Sequence, residues 1–135
     1  MTDPGGAWFI VVWADPDYHE LVRARHDGDS PVTFPTDVEP REVDLTGDEV
    51  RVGRGGENAP EIDLIGPPRD PGVSHLHAVL MALPQDRWVI VDPGSTNGVT
   101  MNYAEEPLRP NSPMPLRPGD CIHLGAWTTL TVGRR

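Results

Sequence analysis

The chain has 135 residues, with 11 arginines and no lysine against 21 Asp plus Glu, for a formal net charge of −10. That length suits one domain. The acidic balance works against nucleic-acid binding, which needs a basic footprint, and against docking on anionic membranes. The 14 glycines and 16 prolines leave little uninterrupted chain for long helices and favour short strands joined by turns.

The composition, 37% hydrophobic and 24% charged, is lean but adequate for a single core. Cys121 is the sole cysteine, so an intrachain disulfide and a multi-cysteine zinc site are excluded. With no disulfide and no secretory signal, the reading is a cytoplasmic protein. The apolar run 7–14 is far short of the roughly 20 residues that span a bilayer.

In chain order, residues 1–6 read as a frayed start. Residues 8–13 are aromatic and β-branched and predict a strand. One short helix follows, with Asp17 and Glu20 spaced as a capping box and Tyr18, Leu21 and Val22 on one face. Residues 26–40 are rich in Asp, Gly and Pro and predict loop, with a brief pairing at 32–34.

From Arg41 onward apolar residues alternate with polar ones, the period of a strand. Val43 and Leu45 mark one strand, Val50 and Val52 a second, Ile62 and Leu64 a third. Longer strands follow at 77–83 and 88–91, with a hairpin turn at Gln85-Asp86. Short ones are expected at 99–101, 121–124 and 127–132. Strands arriving about every eight to twelve residues with turn signals between them predict an all-β protein, an antiparallel β-sandwich.

Enzyme and metal readings are weak. Ser74 and His77 are a remote candidate pair for a small hydrolase, but Ser74 lies between Val73 and His75, not in a Gly-x-Ser-x-Gly elbow. His75 and His77 would project from one face of a strand, yet two ligands do not make a metal site. No catalytic residue, metal or cofactor is expected.

Three segments stand apart. Val52-Gly53-Arg54-Gly55-Gly56 ends a strand in a glycine loop. Asp70-Pro71-Gly72-Val73-Ser74-His75-Leu76-His77 leads a turn into Ser-x-x-His at the mouth of a strand. Asp92-Pro93-Gly94-Ser95-Thr96-Asn97-Gly98 follows the next strand. Each alone is turn chemistry, and Asn97-Gly98 by itself signals a type I′ turn. In this order and spacing they resemble the forkhead-associated (FHA) family, a phosphothreonine-recognition β-sandwich. The resemblance covers about residues 41 to 132 and extends to Asn102.

The resemblance implies a non-catalytic module that docks a phosphothreonine-containing protein, or a phosphorylated segment of its own parent chain, in Ser/Thr kinase signalling. Arg54 would fork onto the phosphate, and Ser74 would donate its hydroxyl. Asn97 would grip the ligand main chain, and Thr96 would shape the niche for phosphate and threonine methyl. Gly53, Gly94 and Gly98 would serve loop geometry, His77 would brace the loops, and Asn102 completes the motif.

The chain departs from the family pattern at His75, at Tyr103 and in the run Val99-Thr100-Met101, which replaces the more usual Thr-aromatic-apolar run. His75 stands where Arg or Lys is common, and a neutral imidazole is one donor, not a fixed charge, which makes binding weaker or pH-dependent. Arg69, five residues before Ser74, is the alternative source of that charge. Tyr103 stands where Gly is common, which puts the turn after Asn102 in doubt. The alternative function is an FHA-like module that binds a protein surface without phosphate.

The chain is read as one domain, 1–135, with a strand, helix and loop extension (1–40) ahead of the motif-bearing sandwich (41–132). The extension is expected to cover a sheet edge. Modules of this kind often sit at one end of a longer protein, and the stop just past Val132 fits a domain cut from one.

Overall fold

In chain order the elements are β1 (Trp8–Ala14), α1 (Pro16–Arg25), β2 (Arg41–Asp44), β3 (Glu49–Gly53), β4 (Ile62–Asp63), β5 (Ala78–Leu83), β6 (Arg87–Val91), β7 (Val99–Met101), β8 (Met114–Pro115), β9 (Cys121–Leu124) and β10 (Thr128–Arg134). They come from a computed structural model that describes residues 7–25, 33–55, 59–64, 66 and 69–135. The expectations for residues 1–6, and for Val32 in the brief pairing, lie outside the described residues. Thr33 and Phe34 form no strand.

Among the described residues the strands make two five-stranded sheets, ordered β2-β1-β10-β9-β7 and β4-β3-β5-β6-β8. Alternation decides what each strand buries. Ile10, Ile122, Leu124 and Leu130 of the first sheet and Val52, Ile62, Leu80 and Ile90 of the second are fully buried in one core. Side chains of this size contribute roughly 1.5–3 kcal/mol each when removed from water. The sandwich is antiparallel as expected, except that β3 and β4 pair in parallel. β8 carries no strand pattern in the sequence. Met114 and Pro115 are exposed there and pair with Ile90 and Val89 along the sheet edge.

β1 does not cover an edge. It lies inside the first sheet, paired with β10 along its whole length and with β2 on its other side. Its apolar, aromatic sequence is what a strand with two neighbours and one core face needs. α1 packs on the outer face of that sheet, where the Tyr18 ring stacks on His123 at 4.9 Å between centroids.

The helix is not capped by Asp17 and Glu20. Asp15 Oδ1 accepts the backbone N–H groups of Asp17 and Tyr18 at 3.0 and 3.2 Å. Pro16 then takes the first helical position, where a missing N–H costs nothing and the ring presets φ. Glu20 instead pairs with Arg23 on the surface at 2.8 Å.

Asn102 and Tyr103 do form a turn, and both are left-handed (φ 53° and 60°). Such a conformation disfavours a bulky residue, so other contacts must hold Tyr103. Its N–H donates to His123 Nε2 at 3.0 Å, and its hydroxyl donates to Asp15 Oδ2 at 2.7 Å. Asn102 ties the turn to β9, its Oδ1 accepting the Cys121 N–H at 2.9 Å.

Candidate functional site

The three motif segments meet at one end of the sandwich, where β3 stops, β5 starts and β6 hands over to β7. β3 ends at Gly53 because the next loop crosses directly over it. A Cβ placed on Gly53 would stand 2.0 Å from the His75 carbonyl oxygen. That approach lets the Arg54 N–H donate to the Ser74 and His75 carbonyls at 3.1 and 3.2 Å. Arg54 is thereby pinned beside Ser74. Its side chain is half-buried, and its Nε is buried with no hydrogen-bond partner among the described residues.

His77 is fully buried and links the second loop to the third. Its Nδ1 accepts the Ser74 N–H at 2.9 Å, so the proton sits on Nε2, which donates to the Gly98 carbonyl at 2.8 Å. Burial pushes this imidazole below its ordinary value, against the pull of the Gly98 carbonyl and the Asp92 and Asp70 carboxylates. Both ring nitrogens are committed to backbone partners. The Ser74 hydroxyl bonds elsewhere: Oγ accepts the Thr96 N–H at 3.2 Å. Ser74 and His77 therefore do not form the nucleophile–base pair that the hydrolase reading needs. With an acceptor site of Oγ occupied, the hydroxyl proton is available to an incoming acceptor.

The third loop is built on Asp92. Its carboxylate accepts the N–H groups of Gly94 and Ser95 at 2.9 and 2.7 Å and the Ser95 hydroxyl at 3.1 Å. Ser95 Oγ in turn accepts the Gly98 N–H at 3.1 Å. Gly94 and Gly98 carry positive φ (111° and 80°), and Asn97 does not, so Asn97-Gly98 is not the type I′ turn its sequence signals. Thr96 and Asn97 are exposed on this loop. Asn97 reaches across, donating from Nδ2 to the Gly72 carbonyl at 2.9 Å.

His75 and Arg69 are both exposed. His75 Nδ1 lies 3.5 Å from the Gly55 carbonyl oxygen, facing the Arg54 loop. Arg69 has no hydrogen bond or ion pair to Ser74 or Arg54 among the described residues. Asn102 stands apart from the three loops, on the turn that follows β7.

Sequence reasoning missed Asp70, which is buried beneath the second loop. The signal was the tripeptide Asp-Pro-Gly, which occurs at 3–5, 70–72 and 92–94. Among the described residues, no group of three or more His, Cys, Asp or Glu is placed to hold a metal ion. No helix among them is long and apolar enough to cross a membrane.

The model of the FHA domain family matches residues 50–125, more than half of the chain. The chain belongs to the FHA domain family. FHA domains are phosphothreonine-binding protein–protein interaction modules. Solved structures agree with the fold. The FHA domain of an Arabidopsis thaliana hypothetical protein is 26% identical, with a TM-score of 0.64 over 98% of this chain and 92% of that one. The FhaA FHA domain, solved in complex with the intracellular domain of Rv3910, is 25% identical, with a TM-score of 0.57 over 91% and 98%. The yeast Pml1 splicing factor shares the fold at 17% identity, with a TM-score of 0.69 over 99% and 85%. No curated protein sequence matches the chain.

Proposed function

We propose that this FHA domain docks a phosphothreonine-bearing segment, on a partner protein or on a neighbouring part of its own parent chain. A Ser/Thr protein kinase writes the mark, and the setting is cytoplasmic signalling. Arg54 forks onto the phosphate, and the Ser74 hydroxyl donates to it. His75 or Arg69 completes the charge around it. Thr96 shapes the niche for phosphate and threonine methyl, and Asn97 holds the ligand main chain.

The observation that carries this reading is the Arg54 Nε, buried without a partner among the described residues, on a residue whose backbone N–H is bonded to the Ser74 carbonyl. A buried guanidinium nitrogen left unpaired is costly, and a phosphate of about −1.5 to −2 charge with three acceptor oxygens would satisfy it. The net charge of −10 does not oppose this, because a direct contact from Arg54 acts at short range whereas exposed charges beyond about 8–10 Å are largely screened.

Titration with matched phosphothreonine, phosphoserine and unmodified peptides tests the reading. Binding confined to phosphorylated peptides supports it. Equal binding of the unmodified peptide would replace it with phosphate-independent docking.

A further inference from the structure

Asp70 lies four residues before Ser74 and is 1% exposed, yet its carboxylate is fully used. Oδ1 accepts the Gly72 N–H at 2.9 Å and the Ala126 N–H at 2.8 Å. Oδ2 accepts the Trp127 N–H at 3.1 Å and the Thr128 hydroxyl at 2.8 Å. One carboxylate thus joins the Ser74 loop to the turn between β9 and β10, which lies 56 positions away in sequence.

The surrounding backbone is shaped to this joint. A Cβ on Gly125 would stand 2.5 Å from the Asp70 carboxylate, and one on Gly72 would stand 2.8 Å from Gly125 Cα. From the joint, contacts run in two directions. Gly72 offers its carbonyl to Asn97 Nδ2 at 2.9 Å, which reaches the third binding loop. Gly125 offers its carbonyl to the Tyr18 hydroxyl at 2.9 Å, which reaches α1. Tyr18 lies outside residues 50–125, the span shared with the family.

We infer that Asp70 is the positioning residue of the phosphopeptide site, and that Tyr18 extends its hold to α1. This rests on the proposed phosphothreonine function. Asp70 touches no ligand. It fixes the height and tilt of the loop that presents Ser74 and anchors Asn97. The Asp92 carboxylate, at the start of another Asp-Pro-Gly segment, accepts bonds only from Gly94 and Ser95 of its own loop among the described residues. Asp70 thus ties the Ser74 loop to the β9–β10 turn, whereas the Asp92 carboxylate braces the β6–β7 loop from within. A preorganised loop binds more tightly because its ordering cost is met before the ligand arrives.

The test compares Asp70→Asn and Tyr18→Phe with a control, Ile10→Val, that lowers the melting temperature from a core position away from the joint. The ligand probe is the tightest peptide recovered from a degenerate phosphothreonine library. All titrations are run well below every melting transition. Asp70→Asn should weaken binding tenfold or more, and Tyr18→Phe about three- to fivefold, mainly through faster dissociation. Ile10→Val should bind like the parent. Amide hydrogen exchange in the free domain gives a second readout. Asp70→Asn should speed exchange at the Ser74 and Thr96 N–H groups, whereas Ile10→Val should not.

Parent-like affinity together with parent-like exchange in Asp70→Asn would overturn the inference. So would equal losses in the joint variants and the core control once melting temperatures are matched. If the parent recovers no phosphothreonine peptide, the functional reading fails, and the exchange data alone decide whether Asp70 positions the loop.

Discussion

Gly53 and His75 touch where any larger residue at 53 would collide, with the His75 carbonyl oxygen 2.0 Å from the site of a Cβ. The obstructing atom is backbone, so it cannot turn aside as a flexible side chain would. Gly53→Ala is expected to push the Ser74 loop away from Arg54. Overpacking of this kind costs about 1–3 kcal/mol of stability. A thermal melt should fall accordingly, and phosphopeptide binding should weaken by more than the melt implies, because Arg54 and Ser74 are separated.

Arg54→Ala is expected to abolish measurable phosphopeptide binding while the fold survives. Charge-assisted hydrogen bonds contribute roughly 1.5–3 kcal/mol each, so losing a fork costs at least tenfold. Ser74→Ala should cost about tenfold, since one neutral donor goes and neighbouring donors remain. Calorimetric titration of both variants checks the order, and an Arg54→Ala protein that binds normally would remove Arg54 from the site.

Phosphothreonine should be preferred over phosphoserine. The two differ by one methyl group, and a shaped niche discriminates by roughly 1–3 kcal/mol on a group of that size. Competition between matched peptides measures this directly. Equal affinity would mean that Thr96 shapes no niche.

Asn97 and His77 should separate binding from stability. Asn97 is exposed on a loop, so Asn97→Ala should mainly weaken binding. His77→Ala leaves the Ser74 N–H and Gly98 carbonyl unpaired and should cost roughly 1–3 kcal/mol of stability. Titrations and melts on the two variants decide the split.

The same histidine sets a pH dependence. Burial holds the His77 and His123 imidazoles neutral, below their ordinary 6.5. The unfolded chain therefore binds protons that the folded one refuses. Stability is greatest above about pH 6.5 and falls as pH drops toward the depressed folded-state values. Denaturant melts across pH 4.5 to 8 should show this acid-side loss, reduced in a His77→Ala background.

His75 and Arg69 compete for one role, and their variants separate them. If His75 faces the phosphate, His75→Arg supplies a permanent forked charge and tightens binding. His75→Ala then weakens it. If Arg69 supplies the charge, both His75 variants titrate like the parent and Arg69→Ala is the damaging change.

Much of the fold was legible because strands and turns obey short-range rules. The alternation at Val50 and Val52 and the Gln85-Asp86 turn depend on chain period and on which residues tolerate left-handed φ. The motif segments were legible for the same reason, since each is a run of turn residues at a strand end. β8 was not, because Met114-Pro115 is an exposed pair held only by its neighbour strand. The helix cap was misplaced by two residues. Asp15 and Asp17 are equally good caps in isolation, and the choice fell to Pro16 at the first helical position and to the buried groups that Asp15 also serves.

By itself, then, the sequence determined a β-sandwich with three motif loops and the order in which Arg54, Ser74, Thr96 and Asn97 occur along it. Only the tertiary structure decided which groups are buried and what they meet. It placed β1 between β2 and β10, because a strand's neighbours depend on pairing across more than a hundred positions. It turned Asp70 from a turn residue into the joint between two distant loops, because a carboxylate cut off from water must find its donors wherever packing brings them. It also let Tyr103 keep a left-handed turn, since Asp15 and His123 bond it from elements remote in sequence. Local rules fix conformation over a few residues, whereas burial and its hydrogen-bond partners are properties of the whole packed chain.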